Sequence, residues 1–420
     1  MGDLRRDPDL DRLVSAINED RAPDGGAPEA SRPARGAAAP SQRLATPAQI
    51  EVHPDEPIDA LLAELRRLGG SDLLLLVGLP PVVRVDGRLV RLEHDPLGRD
   101  AVSTLLGAHL TPRIRQQLGE RGSADFSLHR AAGAGDDDAH WTRLRVNVHR
   151  QRGELAAAIR ALPAQVPTFA GLRLPPSFAD FARLTRGLVL VTGPTGSGKT
   201  STLAAIIGEI NRTRACHVVT IEDPVEVEHR HLRAAIEHVE VGRDTPSFAD
   251  GLRAALRQDP DVILVGEMRD LETVATALTA AETGHLILSS LHTNDAVQSV
   301  HRIVDVFPSG QQEQIRQQLA LSLHAVVSQH LLPRADGSGR VPAVELVLAT
   351  PPVRHHIRSG QLQKIYTEIT LGKRIGMLSL EESLAALVRE GVVGREEAEA
   401  RSGRPDELRS LLGAPPAGKS

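Results

Sequence analysis

A glycine-rich stretch near the middle of the chain has the residue types and spacing needed to bind the phosphates of a nucleotide. Residues 193–200 read Gly-Pro-Thr-Gly-Ser-Gly-Lys-Thr and match the phosphate-loop pattern G-x-x-x-x-G-K-[ST] at every required position. Glycines allow backbone N–H groups to close around phosphate oxygens, and the N-terminus of a following helix adds favourable partial charge. The pattern therefore predicts an ATP site, and a glycine-rich turn that matches by chance is the alternative.

Two side chains of this loop have specific roles in the predicted site. Lys199 is expected to reach the β- and γ-phosphates, and the Thr200 hydroxyl is expected to hold Mg²⁺. Apolar runs at 188–191 and 203–207 predict the strand and the helix that such a loop connects. The residues predicted to bind the nucleotide are Gly193, Thr195, Gly196, Ser197, Gly198, Lys199, Thr200 and Ser201.

Acidic residues follow two further apolar runs, at the points where predicted strands end. The run at 217–221 leads into Glu-Asp-Pro-Val-Glu at 222–226, and the run at 262–265 leads into Gly266 and Glu267. Carboxylates beside a nucleotide can orient Mg²⁺ or accept a proton from an attacking water. Glu267 is a candidate for the Mg²⁺ shell, and glycine in the usual aspartate place favours a contact through water. A solvated acidic loop is the alternative at 222–226.

His292 follows the strand predicted at 286–289 and is a candidate to report on the γ-phosphate. A hydrogen-bonded structural histidine is the alternative, since neutral imidazole finds partners easily. Zinc is disfavoured at His292 because no cysteine or second histidine lies at ligand spacing around it.

Arginines are concentrated in one predicted strand region of the N-terminal half. Strand alternation places Arg143 and Arg145 on one face, and Arg150 and Arg152 follow them. One interpretation is that these arginines reach the γ-phosphate of a neighbouring subunit as arginine fingers. The alternative is a solvated basic strand face.

Composition narrows the classes of function. The chain has 420 residues, which predicts two or more domains, and its 41% apolar and 25% charged residues are typical of a globular protein. A net charge of -5 and only 2% aromatic residues disfavour a nucleic-acid partner. One cysteine, Cys216, excludes an internal disulfide or zinc cluster and suits a reducing cytosol. No apolar run reaches membrane-span length, so membrane association is expected only through a partner.

The pattern of apolar residues divides the chain into regions. Residues 1–50 are rich in Ala, Pro, Gly and Arg and predict a disordered tail, either a passive linker or a partner-binding segment. Residues 51–162 predict an α+β domain, and 163–183 a linker. Strands alternate with helices within 184–412, which predicts an α/β domain with a mostly parallel sheet and a helical C-terminal section. Residues 413–420 predict a frayed tail.

The elements predicted for the two domains are as follows. The first has helices over 58–68 and 102–118, strands at 73–77, 125–128, 142–149 and 155–159, a hairpin at 82–90 turning at Asp86-Gly87, and an exposed turn at 133–138. The second has strands at 188–191, 217–221, 262–265 and 286–289 and helices over 201–210, 248–256, 271–281 and 295–304. The last section reads as helical, with one face formed by Leu319, Leu323, Val326, Val327 and Leu331 and another by Leu380, Leu384, Leu387 and Val388.

Four ordered motifs together resemble one family. Residues 193–200, 221–226, 264–273 and 280–295 look like the Walker A, Asp box, Walker B and His box of ATPases that drive type II secretion and type IV pili. The resemblance covers about residues 58–387. Within the family, the chain resembles the PilT-like retraction branch. It implies a RecA-like phosphate-loop ATPase core preceded by a small PAS-like domain.

The resemblance also implies roles and partners. Glu226 would be the general base, Glu267 the Walker B acid that serves Mg²⁺, and His292 a sensor, while Arg145 and Arg152 would act between subunits. The cofactors would be ATP and Mg²⁺. The expected assembly is a homo-hexamer that works on an inner-membrane pilus platform protein, possibly with paralogous pilus ATPases. Its expected place is the cytoplasm, at the inner face of the membrane.

Departures from the family pattern keep alternatives open. Extension and type II secretion ATPases usually carry a tetracysteine zinc insert, which one cysteine excludes. Residues 350–359 resemble the family's retraction motif, with Arg354, Ile357 and Arg358 matching it. The residues that depart are Pro352, His355, His356 and Ser359. A pilus-extension or type II secretion ATPase, and a weakly active accessory subunit, are the alternative functions.

Overall fold

The computed structural model of the protein describes residues 58–85, 88–130, 142–162 and 165–413. The predicted tail at 1–50, the Asp86-Gly87 turn, the turn at 133–138 and all but the first residue of the tail at 413–420 lie outside these ranges.

An antiparallel sheet with helices packed on it forms the first part of the structure, in agreement with the α+β class predicted for 51–162. Its six strands are ordered β3-β2-β1-β6-β5-β4. The strands are β1 (Asp72–Leu75), β2 (Val82–Val85), β3 (Arg88–Arg91), β4 (Ser123–Arg130), β5 (Thr142–Gln151) and β6 (Glu154–Ala161). Helices α1 (Asp59–Arg67), α2 (Ala101–Leu106) and α3 (Pro112–Arg121) share its apolar core. Alternation of buried residues along β5 gives one face to this core, as strand geometry requires.

The stretch predicted as helical over 102–118 is helical, but it is divided into two α-helices. The chain leaves the α-conformation after α2, forms a 3₁₀ turn at 107–109 and starts α3 at Pro112. Thr111 has extended backbone geometry, and its side-chain oxygen accepts from the N–H of Ile114 at 3.4 Å. Proline is suited to the first helical position because its missing N–H has no partner there anyway. Thr111 and Pro112 therefore start a new helix.

A 3₁₀ helix at Pro176–Arg183 precedes the second sheet. Phe178 is fully buried, and its ring meets that of Phe181 edge to face at 5.3 Å. Both rings share an apolar core with the helix after the phosphate loop. This segment falls within the range predicted as a linker and packs firmly against the second sheet.

The second sheet is mostly parallel, and its seven strands are ordered β13-β12-β7-β11-β10-β8-β9. The strands are β7 (Gly187–Thr192), β8 (His217–Glu222), β9 (Ala235–Glu240), β10 (Val262–Val265), β11 (Leu286–Leu291), β12 (Leu323–Pro333) and β13 (Arg340–Leu348). Only β13 pairs antiparallel, with β12, among these described strands. At the other side of β13, Leu346 and Leu378 exchange backbone hydrogen bonds and Ser383 Oγ accepts from the N–H of Val344 at 3.0 Å.

Helices cover both faces of this sheet. The helices are α4 (Lys199–Thr213), α5 (Phe248–Ala255), α6 (Leu271–Glu282), α7 (Ala296–Asp305), α8 (Gln312–Ser322), α9 (Pro351–Arg358), α10 (Ile365–Leu371), α11 (Leu380–Arg389), α12 (Arg395–Arg401) and α13 (Pro405–Leu411). Alternate residues of β7 enter opposite cores, with Leu188 and Leu190 on one side and Val189 and Val191 on the other. Of the helices described, none is long and apolar enough to cross a membrane.

The predicted α/β class is confirmed, and so are the four strands and four helices predicted for the second sheet up to α7. The helical face predicted for 319–331 is wrong, because α8 ends at Ser322 and β12 follows directly. A strand buried on both faces has a continuous apolar run, which periodicity cannot distinguish from a buried helix. The residues from 325 to 330 are all buried, so the pattern carried no alternation to reveal the strand. β9 and β13 were also not predicted.

Candidate active site

The phosphate loop connects β7 to α4 at one edge of the second sheet. β7 is buried along its whole length and lies between β11 and β12, to which it pairs in parallel. The parallel strands β8, β10 and β11 end at the same edge as β7. Ligands of open α/β sheets bind at this carboxyl edge. The loop and the acidic segments after β8 and β10 therefore face one region.

Backbone conformation explains two of the loop glycines. Gly193 and Gly198 have φ of +142° and +91°, values that side chains with a Cβ rarely adopt. A Cβ at Gly193 would lie 2.3 Å from the backbone oxygen of Gln329 in β12. A Cβ at Gly198 would lie 2.7 Å from the side-chain nitrogen of the same residue. The loop can close against β12 only with glycine at these positions.

Lys199 is the buried cation of the site, with 8% of its surface exposed. Its Nζ donates to the carbonyls of Gly193 at 2.9 Å and Pro194 at 3.1 Å, so it lies across its own loop. Burial lowers the pKa of Lys199, and the charges of Glu267 and Glu226 act against that shift. The structure thus brings the predicted lysine and both predicted carboxylates within electrostatic reach of one another.

His292 lies between Lys199 and Glu267. Its Nδ1 is 3.4 Å from Lys199 Nζ, and its Nε2 is 3.5 Å from Glu267 Oε2. Burial, and then the charge of Lys199, lower the pKa of His292 and favour the neutral ring. A neutral ring that accepts at Nδ1 and donates from Nε2 satisfies both neighbours. The structure therefore places the predicted sensor between the predicted phosphate-binding lysine and the predicted Walker B acid.

Glu267 is held from a second direction by a residue that the sequence did not single out. Arg269 Nε donates to Glu267 Oε1 at 2.8 Å. Gly266, in the usual aspartate place, donates its N–H to the carbonyl of Ile221 at 2.8 Å, and a Cβ there would meet that oxygen at 3.2 Å. Close approach of β8 therefore explains the glycine, and the acidic residue Glu267 follows one position later.

The loop that carries Glu226 is fixed at several points. The N–H of Val225 donates to Glu240 Oε2 at 3.3 Å, and the N–H of His229 donates to His238 Nε2 at 3.1 Å. Further along, the N–H of Leu232 donates to Asn211 Oδ1 at 3.0 Å. Glu226 itself is half-buried. A loop tied in this way holds its carboxylate in a defined position beside Lys199.

The residues present fit a nucleotide phosphate and Mg²⁺. Ser197 Oγ is buried and has no hydrogen-bond partner among the described residues, which leaves it free for a phosphate oxygen. Thr200 is half-buried in the first turn of α4, and Glu267 supplies carboxylate oxygens. Mg²⁺ prefers oxygen ligands and keeps several waters beside substrate phosphates. Within the described ranges no cluster of three or more His, Cys, Asp or Glu could hold a metal.

Strands β12 and β13 support the loop through a hydrogen-bond chain that the sequence did not reveal. Thr192, at the end of β7, donates to Ser328 Oγ at 3.2 Å, and Ser328 donates to Glu345 Oε1 at 3.3 Å. Thr202 in α4 donates to Gln329 Oε1 at 2.7 Å. Because 323–333 was read as helical, these neighbours of the loop could not be found from the pattern.

Glu345 connects this series of hydrogen bonds to the segment that follows His292. Its Oε1 also accepts from the N–H of Ala296 at 3.0 Å, at the start of α7. The residue is 8% exposed, and burial raises its pKa to about 7. One carboxyl group therefore links the end of β7 with the helix that follows His292.

The predicted inter-subunit arginines lie away from these groups. Arg145 is on β5, where its Nε is 3.8 Å from Asp125 Oδ1 and its side chain is partly exposed. Arg152 is exposed at the turn between β5 and β6, with φ +52°. Of the contacts made by described residues, none joins either arginine to Lys199, Glu226, Glu267 or His292. Their predicted action on a neighbouring subunit stays a prediction, and the side chain of Arg143 lies outside the description.

Comparison with known families identifies the core. The family model of the type II/IV secretion system proteins matches residues 173–389. The chain is 42% identical over 351 residues to the type IV pilus retraction ATPase PilT of Pseudomonas aeruginosa, covering 84% of this chain and 99% of that protein. It is 36% identical over 355 residues to the type IV pilus ATPase PilU of the same organism, covering 84% and 91%.

A solved structure agrees with the sequence matches. The crystal structure of the pilus retraction motor PilT with bound ADP superposes with a TM-score of 0.76 at 45% identity. The match covers 83% of this chain and 98% of that one. It includes both sheets, since it extends well beyond the residues of the family model.

Because Glu345 is buried with a raised pKa, the stability of the protein should depend measurably on pH through this residue. Its folded pKa of about 7 exceeds the ordinary value of 4.5, so its contribution to stability is complete below pH 4.5 and is lost as pH rises through 7. Glu345→Gln imitates the protonated acid at every pH. The free energy of unfolding of Glu345→Gln, relative to the parent protein, should rise by about 2 kcal/mol from pH 5 to pH 8. Denaturant titrations at both pH values measure this.

The exposed Glu396 on α12 provides the control for that comparison. Glu396→Gln should follow the parent protein at both pH values. The quantity compared is the free energy of unfolding of Glu345→Gln minus that of the parent protein. If this difference is constant or becomes smaller as pH rises, the buried carboxyl is not the titrating group.

Proposed function

The chain belongs to the type II/IV secretion system family of ATPases, and on that basis we propose that it is the ATP-driven motor of type IV pilus retraction. The observation that carries the proposal is the arrangement of Lys199, His292 and Glu267 in one hydrogen-bonded and charged series beside the phosphate loop. The chain is 42% identical to a pilus retraction ATPase over 99% of that protein. This similarity supports pilus retraction as the process that the ATPase drives.

Hydrolysis follows from the roles of the individual groups. The loop N–H groups and Lys199 hold the β- and γ-phosphates. Thr200 and, through water, Glu267 would hold Mg²⁺, which would supply positive charge beside the phosphates. Glu226 accepts a proton from the water that attacks the γ-phosphorus, the bond to the β-phosphate oxygen breaks, and ADP and phosphate are formed. His292, between Lys199 and Glu267, registers the presence of the γ-phosphate.

The assembly we propose is a homo-hexameric ring. Arg145 and Arg152 belong to the first sheet and make no contact with the described phosphate-loop residues of their own chain, which supports a role toward a neighbour's nucleotide. The ring acts at the cytoplasmic face of the inner membrane on a pilus platform protein. A PilU-like paralogue is a further candidate partner, because a relative of that name is 36% identical.

The C-terminal retraction motif bears on the direction of the motor. Two of its matching residues hold α9 in place, since Ile357 is fully buried and Arg354 donates to the backbone oxygens of Ala349 at 2.8 Å and Leu321 at 2.7 Å. Pro352, which departs from the motif, is exposed. The matching residues support a shared fold of α9, whereas its exposed surface differs. Pilus extension and type II secretion therefore remain the alternative functions.

Deletion of the gene in the source organism tests the function directly. Loss of a retraction motor should leave cells with surface pili that do not retract. Cells that fail to form pili would instead support the extension alternative, and unchanged pili would support neither.

Replacement of the loop lysine tests the nucleotide site. Lys199→Ala should abolish ATP hydrolysis, because no other described cation donates to the loop carbonyls of Gly193 and Pro194. Phosphate release by purified protein measures this. Lys364→Ala, at an exposed lysine, is the matched control and should keep full turnover. Turnover in pure Lys199→Ala protein would contradict the site.

The general base is tested by an isosteric change. Glu226→Gln should keep ATP binding, measured by equilibrium titration, and lose about a hundredfold or more in kcat, because the amide cannot accept the proton. Glu228→Gln alters an exposed acid in the same loop and serves as the control. If Glu226→Gln turns over at the parental rate, the loop carboxylate is only solvated.

Action between subunits is tested by mixing two inactive proteins. Rings assembled from Arg145→Ala and Lys199→Ala subunits should regain some ATPase activity, because certain interfaces then combine an intact Lys199 with an intact Arg145. Each protein alone, carried through the same dissociation and reassembly, is the control. Mixed rings, verified by mass spectrometry, that stay inactive would count against arginines acting in trans.

A further inference from the structure

We propose that Glu240 is a positioning residue that couples the first sheet to the loop carrying Glu226. Glu240 ends β9 at the edge of the second sheet and is 7% exposed. Its carboxylate is contacted by one residue of the Glu226 loop and by one residue of the first sheet. The proposal deepens the proposed function and rests on it, since it takes Glu226 as the general base.

The contact on the catalytic side is made next to the proposed base. The N–H of Val225, a residue 2% exposed, donates to Glu240 Oε2 at 3.3 Å. A buried N–H that loses its partner is costly, so the loop follows the carboxylate when the carboxylate moves. The N–H of Val225 belongs to the peptide unit between Pro224 and Val225, one unit before Glu226. The hydrogen bond therefore fixes the backbone that leads directly into Glu226, and a shift of that backbone moves the Glu226 side chain.

The contact on the other side comes from β4, the edge strand of the first sheet. The Ser127 hydroxyl lies 3.4 Å from each carboxylate oxygen of Glu240 and donates to it. A second contact is made close by, where the Arg113 guanidinium of α3 donates to the carbonyl of Gly242. Both contacts from the first sheet and its helix therefore reach the short segment 240–242.

This segment is built to move as one unit. The N–H of Glu240 donates to Asp244 Oδ2 at 2.9 Å, and the N–H of Asp244 donates back to the Glu240 carbonyl at 2.8 Å. Gly242, at φ +83°, donates to the carbonyl of Thr245 at 2.7 Å and closes the turn. A displacement applied at Ser127 or Arg113 is therefore passed to the Glu240 carboxylate and is not absorbed in the turn.

Space for such a displacement lies beside the contact. A cleft of about 650 Å³ separates α3 and β4 from the segment at Asp223 and Pro224, which belongs to the Glu226 loop. Arg145, which faces Ser127 across β4 and β5, also lines this cleft. The first sheet and its helix α3 therefore contact the second sheet's segment 240–242 beside this cleft. A shift of the first sheet would act on the loop that carries Glu226 through Glu240.

The coupling is tested by removing one hydroxyl. Ser127→Ala should lower kcat for ATP about fivefold and leave KM within about twofold, because the link orients the base and does not touch the phosphate loop. Ser127→Thr keeps a hydroxyl on a β-branched strand residue and should retain most of the parental kcat. Ser123→Ala, on the same face of β4, is the matched control and should leave kcat unchanged. Thermal unfolding should be alike in all three proteins.

A double-mutant cycle separates this link from an effect of Ser127 on its cross-strand neighbour Arg145. If the hydroxyl acts through Glu240, then adding Ser127→Ala to Glu240→Ala should lower kcat little further. A full additional fivefold loss in the Glu240→Ala background, or parental kcat in Ser127→Ala itself, would overturn the proposal. Glu226→Gln is assayed in parallel: its inactivity beside a fully active Ser127→Ala rejects the coupling alone, whereas parental turnover of Glu226→Gln rejects the proposed base.

Discussion

The contact between the phosphate loop and β12 is the constraint on which the site depends. Gln329 places its backbone oxygen where a Cβ of residue 193 would lie, and its side chain also fills the space beside Gly198. The same side chain accepts from Thr202 at the start of α4. The loop is therefore shaped by a strand more than a hundred residues later in the chain. A sheet with β12 missing or shifted in register would leave the loop without its inner wall.

Charge around the loop is balanced by a small number of groups at and beside the buried Lys199. Burial removes water from Lys199 and lowers its pKa, and the negative charges of Glu267 and Glu226 partly offset that shift. No described hydrogen bond joins either carboxylate to Lys199. His292 stays neutral between cation and acid, so it adds hydrogen bonds and no further charge. The partners of Lys199 are two loop carbonyls and Nδ1 of His292, and a phosphate can replace the carbonyls as a partner.

Site residues and secondary structure could be predicted where the signal lies within a short segment, either as a motif or as alternation of apolar residues. Lys199, Glu226, Glu267 and His292 could be predicted because each follows a strand with a clear apolar run, and parallel strands end at one edge. The supporting residues Ser328 and Glu345 could not, because strands buried on both faces lack the alternation that marks them. Glu240 was missed for another reason: its partners Val225 and Ser127 come from different parts of the chain, and such a contact leaves no trace in spacing.

The pairing of Leu346 with Leu378 has a consequence for how copies of this chain can associate. It occupies the N–H and C=O of Leu346 on the outer side of β13, and Ser383 takes up the N–H of Val344 on the same side. An exposed strand edge invites another strand to extend the sheet, the usual start of uncontrolled aggregation. With this edge covered, neighbouring molecules cannot be recruited by strand addition here. Any contact that another copy makes at this part of β13 would have to be made by side chains, which are more easily broken and remade than a shared strand ladder.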